Sequence, residues 1–176
     1  AQAVRGELRP ADPEAMASVA VARASNLFLH LDRSGEAFAV LADADRELEG
    51  NPAEQAECRS VAAQMSMFSF RYDEAGAAAA AVLDDPAAPE AARVRATPVM
   101  VTVWGAQGRL DEALALLDNR LLAAARRHRR RVPFGEVQLA MARFQALFWW
   151  GDAHRLDAYT ADGMGLSVDH RPPSLQ

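Results

Sequence analysis

Three stretches of this chain carry the same boundary: "DRSGEAFAVL" at 32–41, "RYDEAGAAAA" at 71–80 and "RLDEALALLD" at 109–118. Aligned on their Glu-Ala pairs, Ala37, Ala75 and Ala113 fall at two successive intervals of 38 residues. A weaker fourth copy, "WWGDAHRLDAY", places Asp152 and Ala153 after an interval of 40. A period of this length constrains the fold more than any single motif. Each unit is one supersecondary element that cannot bury its apolar face alone, so neighbouring units must stack.

Within each unit the order is constant. A helical segment comes first, at 14–30, 53–69, 90–106 and about 134–149, followed by a short turn. A second helix follows at 35–48, 73–84, 110–126 and about 152–161. Pro13, Pro52, Pro89 and Pro133 precede or open the four first helices, where a missing N–H costs little. In the best-preserved boundary, Gly108 is suited to end a helix with positive φ. Asp111 and Glu112 then sit near the exposed N–H groups of the next helix. Ala113 lies where a larger side chain would push two paired helices apart, and Leu110, Leu114 and Leu117 have spacings suited to one buried stripe. Thr97-Pro98 falls inside the first helix of the third unit and predicts a kink or break within 94–98.

Composition agrees with helices. Of the 176 residues, 51% are hydrophobic and 24% charged, with a formal net charge of -5, values that argue against wholesale disorder. Alanine carries much of the apolar share and favours helix over strand. Cys58 is the single cysteine, which excludes an intrachain disulfide and a cysteine metal cluster. No apolar run reaches the roughly 18 residues needed to span a bilayer, and no membrane partner is expected. A cytoplasmic setting is expected. The ends, at Ala1 and in "SVDHRPPSLQ", are expected to be those of an excised domain or a processed protein. Residues 1–161 are expected to form one helical-repeat domain, with 162–176 a linker or poorly ordered tail.

These features resemble the tetratricopeptide and related helical-hairpin families. Ala37, Ala75, Ala113 and Ala153 match the small residue of the family's second helix, and Leu41 and Leu117 its later large residue, where Ala79 stands in the second copy. Trp104 and Phe144 match the large aromatic site of the first helix, Phe28 fits it less well, and Ser66 departs from it. Units of 38–40 residues also exceed the family's 34. The resemblance implies an all-α fold of antiparallel helix hairpins stacked in a short right-handed array. Ala- and Arg-rich hairpins with this boundary also resemble the middle repeat region of large bacterial LuxR-type transcriptional regulators. That resemblance implies a sensor or regulatory arm.

Motifs for chemistry are sparse. No phosphate loop ending in Gly-Lys-Ser/Thr is present, and "GMG" at 163–165 is too short to serve as one. His30, His128, His154 and His170 are scattered, with no zinc-type spacing. Cys58 has no neighbouring base and reads as a packed thiol. No catalytic, cofactor or metal-binding residue is assigned, and no cofactor is expected. The arginine run of Arg126, Arg127, Arg129, Arg130 and Arg131 reads as a helix C-terminal cap or a contact for an acidic protein surface, with phosphate binding the lesser reading. Phe148, Trp149 and Trp150 read as closure of the last hairpin.

In the resembling family the first helices line the inner, concave surface. The equivalent column here is Asn26, Gln64 and Thr102, again 38 residues apart, flanked by His30, Glu57, Ser60, Arg95 and Gln145. Such hydrogen-bonding groups suit a peptide backbone, a neighbouring domain of a longer chain, or a small effector. The expectation is a noncatalytic interaction and scaffolding module. The alternatives are a helical enzyme or enzyme subunit with a site assembled from distant residues, and a nucleic-acid-contacting module using the arginines.

Overall fold

The computed structural model describes residues 12–117 and 119–162. Among these the fold is all-α, without strands, in the order α1 (Pro13–Leu29), α2 (Ser34–Glu47), α3 (Pro52–Phe68), α4 (Tyr72–Asp84), α5 (Glu90–Ala106), α6 (Leu110–Ala115), α7 (Asn119–Arg127), α8 (Gly135–Trp150) and α9 (Ala153–Ala161). No helix among the described residues is long and apolar enough to cross a membrane. The predicted tail beyond Asp162 and the "GMG" stretch lie outside the described residues.

The repeat is visible in the backbone of its turns. Asp32, Phe70 and Gly108, spaced by 38 residues, all take positive φ, at 52°, 59° and 78°. The next residue, Arg33, Arg71 or Arg109, is the N-cap of the second helix. Its N–H donates back to the end of the first helix, to the carbonyl of Leu27, Ser66 or Trp104, each at 2.9 Å. The N-cap side chains accept no backbone hydrogen bond. Instead each arginine reaches forward to the Glu three residues on: Glu36, Glu74 and Glu112. Those glutamates also sit in the first helical turn, where negative charge is favoured. The Glu-Ala signature thus encodes a local brace followed by a buried methyl.

That methyl is buried to the same degree each time. Ala37, Ala75 and Ala113 have 0% exposure. Each belongs to a different core cluster, together with the residue one turn later, Leu41, Ala79 or Leu117. The first cluster joins α1, α2 and α3, the second α3, α4 and α5, and the third α5 to α8. Each pair is therefore completed by the first helix of the next. Trp104 packs against both the second and third clusters and links them.

Three departures from the expected pattern have local causes. Thr97-Pro98 does not break α5, which runs without interruption from Glu90 to Ala106. Thr97 Oγ1 donates to the Arg93 carbonyl at 2.9 Å, and dense burial from Val94 to Val103 holds the helix where proline removes a backbone donor. The expected helix 110–126 is divided, because Leu117 N–H bonds to Leu114 at 3.1 Å, a tightened last turn that ends α6. The fourth copy loses its register. Gly151 takes φ 72° and Asp152 caps α9 through Arg155 N–H, so Ala153 is the first helical residue and exposed, where its counterparts are fourth and buried. No described residue of α9 is buried.

Candidate functional site

The first helices α1, α3, α5 and α8 pack in succession, α1 on α3, α3 on α5 and α5 on α8. Across them runs the connection between α7 and α8. It is drawn close by Gly135, where a Cβ would lie only 3.0 Å from Val94 Cγ1 of α5. The connection is tied down by a set of charges that the sequence disperses widely. Arg131 pairs with Glu14 on α1, 117 residues away. Its own carbonyl accepts from the Arg95 guanidinium at 2.9 Å.

Arg95 is the centre of this tie. Its side chain, 7% exposed, donates to Glu57 Oε2 at 2.6 Å and to Ser60 Oγ at 3.0 Å. Three of the predicted inner-face residues, Glu57, Ser60 and Arg95, thus form one buried network that joins α3, α5 and the α7–α8 connection. Glu57 Oε1 is buried without a hydrogen-bond partner among the described residues. Thr102 and Gln145 form a second, weaker contact, Oγ1 to Oε1 at 3.5 Å, between α5 and α8. Asn26 and His30 are exposed near the end of α1, where the His30 N–H bonds to the Asn26 carbonyl. Gln64 stands apart from both networks and lines a cavity.

The arginine run is divided by its partners. Arg126 pairs with Glu136 at 2.8 Å and Arg127 with Glu90 at 2.9 Å, while His128 Nε2 lies 3.0 Å from Glu90. These partners hold the Glu90 carboxyl below its usual range, hydrogen bonding from Arg127 first and from His128 second. Arg129 and Arg130 are exposed and make no ion pair among the described residues. The aromatic trio at the end of α8 packs only in part. Phe148 stacks on Phe144 with centroids 6.2 Å apart, and the Trp149 ring lies against Gly105 of α5, but all three rings stay exposed. Cys58 is buried in the first core cluster, and burial foremost, then the Asp45 and Glu57 charges, pushes its thiol up to about 11. A thiol held neutral in this way is a packing group. Among the described residues no His, Cys, Asp and Glu side chains converge to hold a metal ion.

Arg95 and Arg131 form a wall between two cavities. On one side, a cavity of about 350 Å³ is charged, with Glu14, Glu54 and Glu57 facing Arg130 and the wall itself. On the other, about 370 Å³ is lined by Phe28, Leu29, Met65, Phe68 and Phe134, with the Gln64 and Gln138 amides among them. Leu29, Phe68 and Phe134 expose 64%, 51% and 68% of their surface here. The sequence reading missed this apolar lobe because it sought polar side chains at equivalent repeat positions. Its large apolar members come from the ends of α1 and α3, which are equivalent, and from the start of α8, which is not. The exposed ring of Phe134, directly after Pro133, is the one local signal that could have flagged it. Comparison with known protein families, with curated proteins and with solved structures finds no match for this chain.

Proposed function

We propose that this chain is a noncatalytic interaction module. It is a tetratricopeptide-like stack of helix hairpins in the right-handed sense, whose inner surface holds a protein or peptide segment or seats against neighbouring domains. A regulatory arm of a LuxR-type transcriptional regulator is one setting that suits such a module. The observation that carries the reading is the apolar lobe. Three large side chains, Leu29, Phe68 and Phe134, remain exposed around one cavity lined from α1, α3 and the start of α8. Apolar surface gathered in a recess, with a few amides to meet a peptide backbone, marks a recognition surface better than hydrated polar groups do. The Arg131 connection divides that face, so the partner is held in the apolar lobe while the Arg95 network serves as its wall.

Selection of peptides from a random displayed library against the intact chain tests this. Peptides with apolar anchors at helical or alternate spacing should be enriched. Burying one Phe ring is worth roughly 1.5–3 kcal/mol. Replacing both exposed rings, Phe68→Ser with Phe134→Ser, should therefore weaken a selected peptide at least about tenfold, with the melting curve little changed. Affinity that survives both substitutions would reject this surface, and a library that yields no binder would count against the peptide-holding function.

A further inference from the structure

A cavity larger than either of those beside Arg95 and Arg131 lies elsewhere, between α6, α7, α8 and α9. It encloses about 660 Å³, inside the range of roughly 300–1,000 Å³ typical of small-molecule sites. None of its lining residues belongs to the peptide-holding lobe. Leu114, Leu117, Leu121, Leu122, Leu139 and Leu147 supply an apolar interior. α9 forms one wall with Ala158 and Tyr159 while burying no described residue of its own. At the polar side stand Arg143 and Arg155. Arg155 is already occupied by Asp152, at 3.3 Å. Arg143 is half-buried, rests its guanidinium 5.2 Å over the Tyr159 ring, and forms no ion pair among the described residues. The lining also includes two carboxylates, Asp111 and Asp162, both exposed. An arginine fixed by an aromatic face at the edge of a leucine-lined recess is arranged to receive an anion carried on an apolar body.

We infer that this cleft binds an apolar monocarboxylate, of the medium-chain fatty acid type, with its chain among the leucines and its carboxylate on Arg143. The chemistry sets three expectations. Each added methylene should tighten binding by about fourfold, the ratio that 0.8 kcal/mol per buried CH₂ implies. Loss of the positive charge should weaken the acid and spare the alcohol. A ring placed in the mouth should exclude both.

Calorimetric titration of the full chain with octanoate, decanoate and decanol, all below their micellar concentrations, reads these directly. Decanoate is expected to bind at one site and more tightly than octanoate. Arg143→Gln should weaken decanoate about tenfold, the usual scale for a hydrogen bond to a charged group, and leave decanol unchanged. Ala158→Trp, at an exposed helix position lining the cleft, should abolish binding of both. Failure of decanoate to bind, equal loss of acid and alcohol in Arg143→Gln, or retention of binding in Ala158→Trp would each overturn the inference. The peptide-selection experiment uses no residue of this cleft, so the two readings fail separately.

Discussion

At the scale of single residues, the turn joining each helix pair is the most exacting position. The left-handed conformation costs an L-residue about 1–2 kcal/mol, and only glycine takes it freely. Gly108 meets that demand with φ 78°, Asp32 meets it less well, and Phe70 meets it badly at φ 59°. What holds Phe70 there is modest: an edge-on contact with Tyr72, ring centroids 6.3 Å apart, while the Phe70 side chain is exposed. Phe70→Gly should therefore raise the stability by up to about 1 kcal/mol, and Gly108→Ala should lower it by about as much. Urea unfolding of the two variants checks the pair. A loss in Phe70→Gly would mean that the ring contact outweighs the backbone cost. The same position shows what was legible in sequence and what was not. Gly108 announces its conformation, whereas Phe70 adopts it only because the surrounding repeat dictates it.

At the scale of elements, α5 and the α7–α8 connection carry the polar interior. α5 is buried on nearly every side between α3, α4 and α8, which is why its sequence shows no amphipathic stripe and tolerates Pro98 in mid-helix. Arg95 on this helix holds Glu57, Ser60 and the Arg131 carbonyl together. Burial turns this into a dependence: removal of one partner strands the other charge, at a cost of about 3–5 kcal/mol. Arg95→Met should destabilise on that scale. Arg95→Met combined with Glu57→Leu should recover much of the loss, because no lone carboxylate is then buried. A double variant no more stable than Arg95→Met would show that the arginine acts by anchoring the connection and not by neutralising Glu57. The sequence placed Glu57 and Arg95 only as neighbours of the Asn26, Gln64 and Thr102 column. It could not show that they meet each other, nor that Arg131 crosses to Glu14, because contacts between distant segments leave no periodic trace.

At the scale of the whole molecule, repeated helix pairs build one core in three parts, each part closed by the next unit's first helix. The period, the first helices and the small-residue positions were readable because they arise from local rules: proline at helix starts, charge in first turns, and a methyl at each close approach. The last unit was misread for a related reason. "GDA" at 151–153 copies the composition of a boundary, but Gly151 and Asp152 restart the helix at Ala153, and the alanine lands on the surface. The apolar lobe and the leucine-lined cleft escaped the sequence because each gathers side chains from three or more elements. The account rests centrally on the equivalence of three alanines and the inequivalence of a fourth. Thermal and urea unfolding of Ala37→Leu, Ala75→Leu, Ala113→Leu and Ala153→Leu tests this most directly. Overpacking should cost about 1–3 kcal/mol at each of the first three, whereas Ala153→Leu should stay within about 0.5 kcal/mol of the parent chain. A comparable loss at Ala153, or no loss at any one of the other three, would contradict the repeat on which this structure is built.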